Sequence, residues 1–150
     1  MKRRDEIQLT PEEQAKFLRD ARKAALATLD RQGFPHVVAM NFIARDGVIF
    51  MTSYRKAQKV VNIRRNPKVA VMVERGHAYS ELRGVMIRGE CEIIEDMATV
   101  EATMRAIRQK DAGGAALKDT PLTTVPKRVV LKVIPKKIAS WDHSKLAGRY

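Results

Sequence analysis

Apolar and polar positions change period several times along the chain, and each change marks an element. Thr10-Pro11-Glu12-Glu13 opens a helix. Thr10 suits the cap, Pro11 the first helical position where its missing N–H costs nothing, and Glu13 the return bond of a capping box. Phe17, Leu18 and Ala21 supply one apolar face, which predicts a helix to about Arg22. From Ala24 to Leu29 the residues are small or branched and read as a buried strand. Asp30 to Gly33 is a turn, His36 to Ala44 a return strand, Arg45-Asp46-Gly47 a tight hairpin connection, and Val48 to Ser53 a third strand. Three strands joined by short turns predict an antiparallel meander.

Tyr54 to Asn66 changes to helical spacing, with Val60 and Ile63 on the inner face. Pro67 stops this helix, because the residue before a proline is pushed out of helical geometry. Val69, Val71 and Val73 share one face of a strand over Lys68–Glu74, and Arg75-Gly76-His77 turns the chain. Leu82 to Ile94 is a long extended stretch whose Gly84 and Gly89 predict bulges or sharp coiling. Met97 to Gln109 is a helix packed through Met97, Val100, Met104 and Ile107. After an irregular connection through Gly113-Gly114 and Pro121–Pro126, Lys127 to Ile134 gives a last strand leading into Ser140-Trp141-Asp142-His143. No strand–helix alternation dominates. The order predicts a mainly β (α+β) chain: one domain over residues 1–150, a six-stranded antiparallel barrel with flanking helices.

Composition narrows the setting. No apolar run approaches the length of a membrane span, and the basic start Met1-Lys2-Arg3-Arg4 is not followed by the apolar segment of a signal peptide. One cysteine, Cys91, excludes an internal disulfide, so a reducing cytoplasm is the simplest location. Lys and Arg total 29 against 17 Asp and Glu, a formal charge of +12. Such an excess attracts anions without choosing among them.

The placement of that charge is more informative. Arg55, Lys56, Lys59, Arg64, Arg65 and Lys68 fall in one short run with no acidic residue between Arg55 and Lys68. Ser53 sits just before the predicted helix. A hydroxyl, helix-start N–H groups and converging cations make a phosphate site. The same run fits a solvated basic face, and a nucleic-acid surface is a third reading, although only Tyr54 lies within the run to stack on bases. His36, His77 and His143 have no metal-ligand spacing, and no metal is expected. Cys91 reads as a buried structural thiol, and Trp141 as a plug at one barrel end or a ring contact.

Four runs in order carry a resemblance: Ala25-Leu26-Ala27-Thr28-Leu29 with Gly33-Phe34-Pro35-His36; Ala57 to Pro67; Tyr79 to Val85; and Ser140 to Leu146. Together they resemble the flavin/deazaflavin-dependent split-barrel oxidoreductases, the pyridoxamine 5′-phosphate oxidase-like superfamily. The nearest pattern is that of small actinobacterial-type members that use FMN or the deazaflavin F420. The resemblance implies an FMN-binding split-barrel fold, a homodimer, and a cofactor in the groove between two subunits. It implies that Ser53 and Lys59, with Arg55, Lys56 and Gln58, gather around the cofactor phosphate. Val38, Ala39, Met40 and Asn41 would border the ring through backbone contacts, and Trp141 of the other subunit would lie at the groove edge. Gln58 stands where the true oxidase has arginine, and the oxidase's basic and histidine substrate contacts lack an evident counterpart before Tyr150. The implied activity is therefore an F420- or FMN-dependent reductase acting on an electron-poor small molecule, with no nucleic-acid partner. The competing expectation is a flavin or haem carrier, or a basic nucleic-acid-binding module.

Overall fold

The computed structural model describes residues 1–113, 115 and 121–149. In chain order the elements are α1 (Arg3–Glu6), α2 (Pro11–Asp20), β1 (Lys23–Leu29), β2 (Pro35–Asn41), β3 (Ile43–Arg45), β4 (Val48–Tyr54), α3 (Gln58–Arg65), β5 (Lys68–Arg75), β6 (Arg83–Ile94), α4 (Met97–Asp111) and β7 (Arg128–Asp142). Short 3₁₀ turns cover Tyr79–Glu81, Val125–Lys127 and His143–Leu146. The strands form one antiparallel sheet in the order β2-β1-β5-β6-β7-β4-β3. This is the expected split barrel, with seven strands where six were counted.

The extra strand arises because the predicted return strand His36–Ala44 breaks at Phe42. That side chain turns into the core, and its carbonyl accepts a bond from the Lys110 ammonium at 3.2 Å, with the same ammonium 4.0 Å from the ring centroid. Lys110 also donates to the Leu18 carbonyl, tying the end of α4 to α2. The capping box forms as read: the Glu13 N–H donates to Thr10 Oγ1 and the Thr10 N–H to Glu13 Oε2. The helix stops at Asp20, two residues before its expected end. Met97 is exposed on α4, which instead buries Val100, Thr103 and Ile107. The irregular connection between Gly113-Gly114 and Pro121–Pro126 falls partly outside the described residues, Gly114 included.

The last strand is almost twice its predicted length. Pro135, Lys136 and Lys137 hide its period-2 pattern. The β6–β7 register explains why: Gly89 faces Pro135 and Arg88 faces Lys137, leaving Lys136 as the extra residue of a bulge. Gly89 is needed there, since a Cβ would lie 2.4 Å from the Ile134 carbonyl oxygen. The curled sheet encloses Leu26, Ile49, Met51, Val71, Ile87 and Leu131, closed by Phe17 and Leu18 of α2 and by Val60 and Ile63 of α3. No helix among the described residues is long and apolar enough to cross a membrane.

Candidate functional site

Alternation along β4 sends Ile49, Met51 and Ser53 inward. Ser53 is 3% exposed and its hydroxyl donates to the Tyr54 carbonyl at 3.2 Å. The chain then turns through Arg55 and Lys56. The turn is held by the Arg55 N–H on the Lys127 carbonyl (2.9 Å) and the Ala57 N–H on the Tyr54 carbonyl (3.1 Å). Helix α3 therefore starts at Gln58, later than the sequence suggests. Its N-cap, Ala57, offers no side-chain cap, and its first turn has no acidic residue. The positive end of its dipole is left open to an anion.

Two cations that sequence reading missed complete the corner. Tyr54 faces Arg128 across β4 and β7, and the Arg128 guanidinium stacks 4.1 Å from the Tyr54 ring centroid. Arg128 Nε–H donates to Thr124 Oγ1 at 3.1 Å. Tyr54, Arg55, Lys56, Pro126 and Lys127 line a cavity of about 350 Å³. Lys59 is held below the ordinary lysine range by burial first and by the Arg128 charge second. A lowered folded-state value means that the ammonium is less favoured in the fold than in the unfolded chain. Its positive charge is thus carried at a cost to stability that an anion would relieve.

Part of the basic run is engaged outside the corner. Arg64 pairs with Glu95 at 2.7 Å, and Arg55 approaches the same carboxylate at 3.8 Å. Arg65 donates to the Leu29 carbonyl at 2.7 Å. The Gln58 amide donates to Asn62 Oδ1 at 2.7 Å, and Asn62 Nδ2 donates to Thr28 Oγ1 at 3.0 Å. Asn62 is 0% exposed, so this chain of bonds locks α3 onto β1. Asn62→Ala should lower the unfolding free energy by about 2–3 kcal/mol, because it leaves a cavity and a buried Thr28 hydroxyl without its donor. Urea denaturation against wild type checks this. The double variant with Thr28→Val should cost less than the sum of the singles.

The other predicted site residues lie on β2 and β7. Val38 and Met40 pack into the core, and Ala39 faces outward. Asn41 Oδ1 is buried without a partner, as is His36 Nδ1. β2 is an edge strand, so one side of its backbone is unpaired within the chain. Trp141 lies on β7, thirteen residues beyond Arg128, a strand span of roughly 40 Å. One chain does not bring Trp141 to the basic corner. Trp141 instead lines the edge of a groove of about 640 Å³ with Arg4, Met86, Arg88, Lys137 and Ile138.

Burial, then Glu92, pushes the Cys91 thiol up to about 12, which leaves it protonated and inert at neutral pH. Arg83 pairs with Asp142 at 2.9 Å, while Glu81 accepts from the Ala78 N–H. Burial pushes the Asp142 carboxyl up, but the Ser144 hydroxyl and N–H and the Arg83 guanidinium outweigh it and hold it below the ordinary range. Among the described residues no group of three or more His, Cys, Asp or Glu could hold a metal ion.

The profile of the pyridoxamine 5′-phosphate oxidase family matches residues 10–142. A conserved hypothetical protein of Mycobacterium tuberculosis is 33% identical, with a TM-score of 0.89 over 98% of this chain and 93% of that one. A structure described as an F420 reductase is 28% identical, with a TM-score of 0.71 over 87% of this chain and 98% of its own. An FAD-binding protein of Mesorhizobium loti, at 20% identity and a TM-score of 0.67 over 89% and 94%, shares the fold. No curated protein matches the chain.

Proposed function

The chain belongs to the pyridoxamine 5′-phosphate oxidase family, and on that premise we propose that it is a homodimeric reductase using F420 or FMN against an electron-poor small organic acceptor. The observation that carries the proposal is Lys59, a half-buried cation in the field of Arg128 at the uncapped start of α3. Lys59 and Arg128, with Arg55, Lys56 and Lys127 around the adjoining cavity, suit a phosphate. The likeness to an F420 reductase supports the redox reading at the level of the family.

When bound, either cofactor supplies hydride chemistry at its tricyclic ring. The residues of this chain bind and orient. Lys59 and its neighbours hold the phosphate end, and the open backbone edge of β2 at Val38–Asn41 offers N–H and C=O groups to the ring. Trp141 of the second subunit walls the ring side. That division of labour needs two chains, because the corner and Trp141 lie far apart within one.

The outer face of the sheet supports the dimer. One cross-strand row reads Ala39, Ala25, Met72, Met86, Ala139, and the next runs from the apolar Val37, Ala27 and Ala70 to the cations Arg88 and Lys137. Val37 is 61% and Met72 43% exposed in the single chain. Small flat residues around two protruding apolar ones suit close packing of a second sheet.

Titration of the purified protein with FMN and with F420, followed by fluorescence and absorbance, tests the reading. Saturable binding of one of them and turnover of a quinone or activated alkene by its reduced form are expected. Failure to bind either, together with salt-sensitive binding to nucleic acid, would replace the reading with the basic module.

A further inference from the structure

The row of the sheet on the other side of Met72 and Met86 is built differently. Glu74 on β5 faces Gly84 on β6, and Gly84 faces Trp141 on β7. The indole leans back across the middle strand. A Cβ on Gly84 would lie 2.3 Å from Trp141 Cζ2 and 2.5 Å from Cε2, so only glycine admits the ring there. Having crossed β6, the indole N–H donates to Glu74 Oε2 at 2.9 Å. One side chain thus spans three strands, seated on bare backbone in the middle and anchored by a carboxylate at its far end.

We propose that Glu74 is a positioning residue that fixes the Trp141 indole across Gly84 as a preset aromatic wall of the groove, ready to stack on a planar ligand ring. The part of this concerning ligand rests on the reductase reading above. Trp141 lines a groove of about 640 Å³, whose other walls include the apolar Met86 and Ile138 and the cations Arg4, Arg88 and Lys137. A tryptophan on a strand otherwise exchanges between staggered rotamers. A glycine seat removes the steric bar to one of them, and a charged acceptor holds the ring in it. Holding the ring before the ligand arrives avoids ordering it during binding. Glu74 itself is exposed, and among the described residues its side-chain bond is the one to the indole.

Trp141 is the sole tryptophan, so intrinsic emission reports on this ring alone. Glu74→Ala should shift the emission and raise acrylamide quenching about twofold or more, as expected for a ring released to solvent. It should weaken whichever of FMN or F420 binds wild type by about threefold to tenfold, the range of an oriented aromatic pair. The thermal midpoint should stay within about two degrees of wild type, since the bond is at the surface. Glu74→Gln keeps an accepting oxygen and should restore emission and affinity. Wild-type emission and quenching in Glu74→Ala would overturn the proposal, and so would a Glu74→Gln protein that behaves like the alanine variant. If wild type binds neither cofactor, the reductase reading falls, while the emission of the two variants still decides whether Glu74 holds the ring.

Discussion

Replacing Lys59 by alanine is expected to weaken FMN or F420 binding by about 10-fold to 100-fold, the value of a charge-assisted bond to phosphate. The fold should not suffer. Most of the stabilisation in this region comes from Val60 and Ile63, which are buried in the core, and from Asn62. Lys59 contributes in the opposite sense. Its folded value is lowered by burial and by Arg128, so its charge opposes folding below that value, and this opposition fades as pH rises toward the unfolded lysine value. The thermal midpoint of Lys59→Ala at neutral pH should equal or slightly exceed that of wild type. Affinity for the phosphate should fall as pH climbs through the lowered range, because the folded protein loses this ammonium early.

Arg64→Ala is the matching control. It lies in the same basic run, but its guanidinium is held by Glu95. Isothermal titration should find its affinity within about twofold of wild type, as for a surface ion pair of small net value. Equal losses in the two variants would mean that total charge, not the corner, sets binding, and would remove Lys59 from its assigned place.

The contrast between these two lysine and arginine positions marks where sequence reading stops. Local signals were legible because their physics is local: the Thr10–Glu13 capping box, the valine alternation of β5 and the helix stop at Pro67 all appear where expected. The corner was legible only on one side. Lys127 and Arg128 reach it through the pairing of Tyr54 with Arg128, seventy-four residues apart, and nothing in either segment announces that register. Glu95 lies beyond the run, thirty-one residues after Arg64, yet it removes Arg64 from the available charge. The length of β7 was hidden for another reason. A bulge at Lys136 shifts the alternation by one, so a period-2 reading loses the strand where the molecule needs its bend. At Gly84 the sequence suggests a bulge or sharp coiling; its pairing is regular, and its missing side chain makes room for Trp141.

The second large effect is expected from Met72→Glu, at the centre of the outer apolar row. Met72 is flanked across the strands by Ala25 and Met86, and its side chain already meets solvent in the single chain. A carboxylate there stays hydrated in a monomer, so the circular dichroism spectrum and core packing should be preserved. In a two-fold dimer the same row meets its own copy, and the substitution would bury two unpaired charges. Each costs several kcal/mol, so the dimer should weaken by about 100-fold or more. Sedimentation should then give the mass of one chain at concentrations where wild type gives two. Cofactor affinity should fall with the mass, although Met72 is not among the residues assigned to the phosphate, because the monomer keeps its own Lys59 corner but loses the partner's Trp141. Met72→Leu, which preserves the apolar surface, should retain both dimer and affinity. An unchanged mass for Met72→Glu would dismiss this face as the interface. A monomer with wild-type affinity would instead confine the whole binding site to one chain, and Trp141 would then have to act on a ligand other than the one held at Lys59.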